Sequence, residues 1–208
     1  KELVPIISYM VLGGKCQLCK KSISKSLIIS EALSGVSLVL YFFMMLSSGL
    51  GFFYILFSTI LIYSLIVIFI IDYIHGIIPD QILIFLTVTT LLYLGLFQRI
   101  EIGENLISGL SAFIFFLALF LITKGRGIGF GDVKFVFVIG FLTGFPGIVV
   151  ALYTAFLTGA FISLILIISK KKKLHGSTVP FGPFLVFGTL VAFFWGSKLW
   201  NIFLRFYQ

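Results

Sequence analysis

The chain has 208 residues, 60% of them hydrophobic and 26 of them phenylalanine, with a mean hydropathy of +1.22. A soluble domain is excluded, because no core of this size hides so much apolar surface. Seven acids stand against fifteen lysines and arginines, for a formal net charge of +8, which points to loops on the cytoplasmic side of a bilayer rather than to nucleic acid.

Apolar stretches long enough to cross a bilayer recur along the whole chain. The fold class expected is an all-α, polytopic transmembrane helix bundle. Seven crossings are predicted, over 27–48, 52–72, 80–97, 105–123, 130–144, 146–169 and 180–206. Residues 1–26 read as a cytoplasmic segment ahead of a membrane domain at 27–208. The chain opens at Lys1 inside what reads as a loop, and residues upstream are expected to be missing. The fifth and sixth crossings could be one helix, of about 57 Å for 38 residues, close to two hydrocarbon thicknesses. Gly144-Phe145-Pro146-Gly147 interrupts the run, and glycine with proline ends helices, so two helices are predicted.

Basic residues then set the orientation. Lys1, Lys15, Lys20, Lys21 and Lys25 precede the first crossing. Lys124, Arg126 and Lys134 fall between the fourth and fifth or at the start of the fifth, and Lys170–Lys173 between the sixth and seventh. Only Arg99, Lys198 and Arg205 lie in the alternate segments. The positive-inside rule places the twelve in the cytoplasm. Asp72, Asp80 and Asp132 then fall at that face, which the count of basic residues did not assume.

Acids at membrane depth are costly, and a functional role is the default expectation. Asp72 ends an apolar helix in Ile70-Ile71-Asp72-Tyr73-Ile74-His75-Gly76-Ile77-Ile78-Pro79-Asp80. Asp132 opens another, in Gly127-Ile128-Gly129-Phe130-Gly131-Asp132-Val133-Lys134. Peptide hydrolysis by carboxylates needs two of them together, one ionised to take a proton from water and one protonated to polarise the scissile carbonyl. At about 3 Å two such groups share one proton. Gly129 and Gly131 permit close approach of backbone or substrate. The helix start and Lys134 would both favour an Asp132 anion. Read alone, Asp132 is equally an N-cap and Asp72 a solvated helix end. Asp80, after Pro79 and before an apolar run, reads as an N-cap. His75 reads as a solvated loop residue. Gly159, Ala160, Ser163, Gly188 and Ala192 suit tight helix contacts. The rival readings are a transporter or proton relay built on intramembrane acids, and a non-catalytic membrane scaffold.

These motifs resemble the type IV prepilin peptidases, the prepilin leader peptidase/N-methyltransferases of bacterial pilus, type II secretion and competence systems. The resemblance rests on Asp72 through Asp80, on Gly129-Phe130-Gly131-Asp132-Val133-Lys134, and on Val179-Pro180-Phe181-Gly182-Pro183-Phe184. It extends to Val4-Pro5 through Cys16-Gln17-Leu18-Cys19 and to Ser30-Glu31-Ala32-Leu33-Ser34-Gly35. It implies eight crossings in the intact protein, a multi-pass place in the bacterial plasma membrane, and a catalytic pair of Asp72 and Asp132. Gly129, Gly131, Lys134, Pro79 and Asp80 would support that pair. Pro180, Gly182, Pro183 and Glu31 become substrate-binding candidates, although Pro180 and Pro183 also suit a plain helix start, and Glu31 a helix N-terminal charge.

The activity implied is removal of a short basic leader from a prepilin or pseudopilin after a glycine, beside the apolar stem. S-adenosylmethionine-dependent methylation of the new N-terminus would follow; proteolysis itself would need no cofactor. A second branch of the same protease class, acting on archaellin-type precursors, remains open beside it. Cys16 and Cys19 match one of two Cys-x-x-Cys pairs that hold zinc in many members. Two thiolates do not complete a tetrahedral site, so structural zinc would need two further ligands.

Overall fold

The computed structural model describes residues 9, 11–16, 19–20, 22–23, 25–46, 51–125, 127–169 and 180–205. Arg126, the lysine run at 170–173, Val179 and the opening Val4-Pro5 lie outside these. The described residues form α-helices joined by short links, with one isolated antiparallel bridge between Lys15 and Ser22. The helices are α1 (Lys25–Leu46), α2 (Phe52–His75), α3 (Asp80–Phe97), α4 (Ile102–Ile122), α5 (Phe130–Ile168) and α6 (Gly182–Arg205), with a 3₁₀ turn at Arg99–Glu101 before α4. The predicted boundaries agree with these to within a few residues. Among the described residues, α2 to α6 are each long and apolar enough to cross a membrane.

The chain divides into two compact units, Lys1–Ile66 and Val67–Gln208. In the first, a small hairpin closes through Ile23 N–H to Gly14 C=O and Lys20 N–H to Cys16 C=O, both 2.9 Å. Gly14 has φ +75°, and a side chain there would also strike the Tyr9 ring. Neither Cys16 nor Cys19, in this hairpin, is in a disulfide. Within the same unit α1 meets the start of α2 through Tyr41, whose hydroxyl is bonded to that of the buried Ser58.

The second unit is organised by α5. This element is broken at Gly144 (φ 59°, ψ −171°) and Phe145, as the sequence predicts, and the peptide bond before Pro146 is cis. The Gly144 conformation is open essentially to glycine alone. On one side of the break, Phe113 meets Phe137 and Phe120 meets Phe130, so the first half of α5 runs antiparallel to α4. On the other, Gly147 lies beside Gly196 and Gly159 beside Phe184, so the second half runs antiparallel to α6. Phe116 of α4 reaches Phe156 in that second half. The chain therefore reverses at the break, and Val133, Phe135, Val136 and Ile139 of the first half are wholly buried.

Burying apolar surface does little to bring helices together where lipid is equally apolar, so close backbone packing takes over. Gly109 and Gly140 stand face to face where α4 crosses α5: a Cβ on Gly140 would lie 2.7 Å from Gly109 Cα. Gly188 packs as closely on the Ala151 carbonyl, with no room for a side chain. Of the residues predicted for such contacts, Gly159, Gly188 and Ala192 are buried, whereas Ala160 is exposed. Ser and Thr hydroxyls inside the helices mostly return to the carbonyl four residues back, as at Thr87, Ser108, Thr143, Thr158 and Thr189. That satisfies them where no water is available.

Candidate active site

Asp72 lies three residues before the end of α2, and the stop signal of that helix positions it. Gly76 adopts φ +67° and donates its N–H to the Asp72 carbonyl at 2.8 Å, which is the left-handed glycine cap of a helix C-terminus. His75 is the last helical residue, not a loop residue, and is exposed. The link then turns at Ile77 and Ile78 to Pro79. Pro79, extended at φ −71° and ψ 122°, is itself the N-cap of α3 and accepts from Ile82 and Leu83.

This corrects the expectation for Asp80. It is the first helical residue, and its side chain makes no capping bond; it reaches instead to Lys134 Nζ on α5. Lys134 is correspondingly paired with Asp80 rather than directed at Asp132, and also sits 5.3 Å from the centre of the Phe130 ring.

Asp132 occupies the first turn of α5 and folds back on its start. Its Oδ2 accepts from Gly129 N–H at 3.1 Å, while its own N–H donates to the Gly129 carbonyl. This is the third helical position reaching back to the cap, half of a capping box, not the N-cap itself. Gly131 lets the link between α2 and α3 approach: a Cβ there would be 3.3 Å from Ile78 Cβ. A Cβ at Gly129 would meet only the Asp132 carboxylate, at 3.3 Å.

The two acids therefore come from separate helices to one place. Both are buried, Asp72 at 4% exposure and Asp132 at 9%. Both line a cavity of about 570 Å³ walled by the link 76–78, by Asp80 and Gln81, and by 129–132 with Lys134. Asp72 Oδ2 is buried with no hydrogen-bond partner among the described residues, a state native structures rarely leave unexplained. Gly182, the first residue of α6, lies directly against it. The start of α6 thus faces the Asp72 carboxylate, and the N-terminal end of a helix favours negative charge.

The sequence predicts Gly182 as a substrate contact and does not predict its place against Asp72, of which the only trace in the sequence is a glycine between two prolines. Pro183 is buried in the first turn of α6 and Pro180 precedes that helix, the helix-start arrangement weighed for them. Glu31 is in α1, in the other unit. Cys16 and Cys19 join no third metal-ligating side chain among the described residues, so the residues described do not make a zinc site.

Residues 59–164 match the model of the type IV leader peptidase family, and residues 1–45 match that of the bacterial N-terminal domain found with it. A prepilin leader peptidase/N-methyltransferase of Pseudomonas aeruginosa is 27% identical over 99% of this chain and 70% of its own length. One from Stutzerimonas stutzeri is 29% identical over 99% and 71%, and one from Bacillus subtilis is 27% identical over 98% and 80%. No solved structure matches the chain. The transporter and scaffold readings lose their ground here, since neither accounts for a match that runs through both aspartate motifs. With apolar helices able to span a bilayer and a family match across half its length, the chain is a multi-pass membrane peptidase belonging to the type IV leader peptidase family.

Proposed function

We propose that this protein cuts the leader from prepilins or pseudopilins with Asp72 and Asp132 as an aspartic pair. The observation that carries this reading is that two buried carboxylates on different helices share one cavity. With one proton between them, the ionised acid takes a proton from water as the water oxygen bonds to the scissile carbonyl carbon. The protonated acid gives its proton to the carbonyl oxygen. Collapse of the tetrahedral species breaks the C–N bond. The leaving nitrogen receives the proton taken from water, and the second acid regains its own from the collapsing hydroxyl. The pair ends as it began, with no metal in the cycle.

The surroundings support the charge changes this needs. Gly129 N–H holds one Asp132 oxygen, and the start of α6 faces Asp72. Such fixed dipoles cost no reorganisation during reaction. Pro79 and Gly131 act through the link they shape, and Asp80 with Lys134 through the pair at the cavity's rim. Pro180 and Pro183 act by starting α6 at the right place for Gly182.

The reversal at Gly144–Phe145 supports counting α5 as two crossings, for seven in this chain. The distribution of basic residues supports a cytoplasmic site, on the side from which a basic leader would come, and with the family supports the bacterial inner membrane. Methylation with S-adenosylmethionine rests on the names of the relatives and on the resemblance at Glu31; no step is derived for it.

The test is cleavage of a prepilin with glycine before its cut site by the full chain, by Asp72→Asn and Asp132→Asn, and by Glu101→Gln, an exposed acid remote in sequence from both motifs. Each aspartate variant loses at least about a thousandfold in kcat while the control cuts. Cleavage by either aspartate variant near the wild-type rate ends the two-aspartate mechanism.

A further inference from the structure

A second cavity, of about 510 Å³, adjoins the first and shares Asp80 and Lys134 with it. Beyond that shared pair it is almost wholly apolar. Leu83, Ile84, Thr87 and Val88 of α3 form one wall, Leu110 and Phe113 of α4 the other, and Phe137 and Val138 of α5 the floor. The one hydroxyl, on Thr87, is spent on the Leu83 carbonyl. The groove exists because α3 and α4 each rest on α5 but scarcely touch each other. Along α3 it follows one face from residue 80 to 88, a rise of about 12 Å. Its rims are open: Ile84 is 64% exposed, Val88 48% and Leu110 45%.

We infer that this groove is the docking site for the apolar membrane helix of the substrate, the segment that follows the peptide bond being cut. The inference rests on the proposed function and adds where the substrate lies. Continuity selects the occupant. The groove leads into the cavity of the two aspartates, and the junction is the Asp80–Lys134 ion pair. A chain lying along α3 would pass from apolar wall to charged rim as its own sequence passes from membrane stem to polar leader. A lipid tail matches the wall but has no reason to continue past the rim. A second copy of this chain would need an unpaired helix ending at the aspartates.

The test is photo-crosslinking in membranes, with p-benzoylphenylalanine placed singly at Val88 and Leu110. Phe161 and Ile202, exposed residues outside the groove, serve as comparison positions. Prepilin is present, and its cleavage is scored in the same samples. The expected result is prepilin captured at both groove positions at least about tenfold above the comparison positions, as a localised binding site requires. Capture of lipid or of a second copy in the groove, with prepilin captured elsewhere or nowhere, overturns the inference. As a second readout, Val88→Trp and Leu110→Trp, which fill the groove, raise KM for prepilin about tenfold, the sign of lost ground-state binding; unchanged KM in both also overturns it. If the wild-type chain does not cut prepilin at all, the proposed function fails and this inference with it. If it cuts while the groove positions capture no prepilin, the docking site alone fails.

Discussion

The Asp72 side chain leaves no room for one on Gly182: a Cβ there would lie 2.8 Å from Asp72 Cγ. The glycine is required by that approach and not by its backbone, since no positive φ is recorded there. Alanine would favour the helix that begins at this residue but push the carboxylate out of place. A misplacement of about 1 Å in a catalytic group costs on the order of a hundredfold in rate. Gly182→Ala is therefore expected to lower kcat for prepilin about a hundredfold with little change in thermal stability. The check is steady-state cleavage beside a melting curve in detergent. Activity near wild type would mean that Asp72 can move without loss.

The contact between Gly109 and Gly140 is expected to limit stability instead. A Cβ on Gly140 meets backbone atoms of Ser108 and Gly109 within 2.9 Å, and a backbone cannot rotate aside as a side chain can. Overpacking of this kind costs about 1–3 kcal/mol. Gly140→Ala should lower the unfolding midpoint accordingly. Gly103→Ala, on α4 with nothing within 4 Å of the new methyl, should be neutral or stabilising by up to about 1 kcal/mol. Equal effects at the two sites would show that the α4–α5 crossing has slack.

Much of the fold was legible because membrane helices announce themselves by length. The Gly144–Pro146 interruption was readable too, since its glycine and proline act on the chain locally. Asp72 and Asp132 were readable because a carboxylate at membrane depth needs a reason. What could not be read was which neighbour each polar group would choose. Lys134 is two residues from Asp132 in sequence, yet on the helix these positions do not face each other, and it pairs across to Asp80. Asp80 has the composition of an N-cap, but proline before it had already taken the extended cap conformation. Gly109 and Gly140 carry no sign of their partnership, which exists only once α4 and α5 cross.

The Asp80–Lys134 pair joins the starts of α3 and α5 at the cavity rim, with side chains 60% and 32% exposed. Partly exposed pairs of this kind are screened and contribute under about 1 kcal/mol. Lys134→Met should therefore change the unfolding midpoint little. Asp80 keeps a favourable place in the first turn of α3 without its partner. A loss well beyond 1 kcal/mol in a denaturant titration would mean that the pair holds the two helices together.

An aspartic pair also dictates the shape of the pH profile. Activity needs one acid ionised and one protonated. At low pH both are protonated and no base is present to take the water proton. At high pH both are ionised and nothing is left to protonate the carbonyl oxygen. The plot of kcat/KM against pH should thus fall on both sides of an optimum, with two apparent constants that belong to the pair and not to either residue. Residual turnover of Asp72→Asn or Asp132→Asn, measured at high enzyme concentration, should lose that two-sided form, because one member no longer titrates. A wild-type profile with a single limb between pH 3 and 10 would point to one acting acid, and a two-sided profile retained in both variants would place the titrating groups elsewhere.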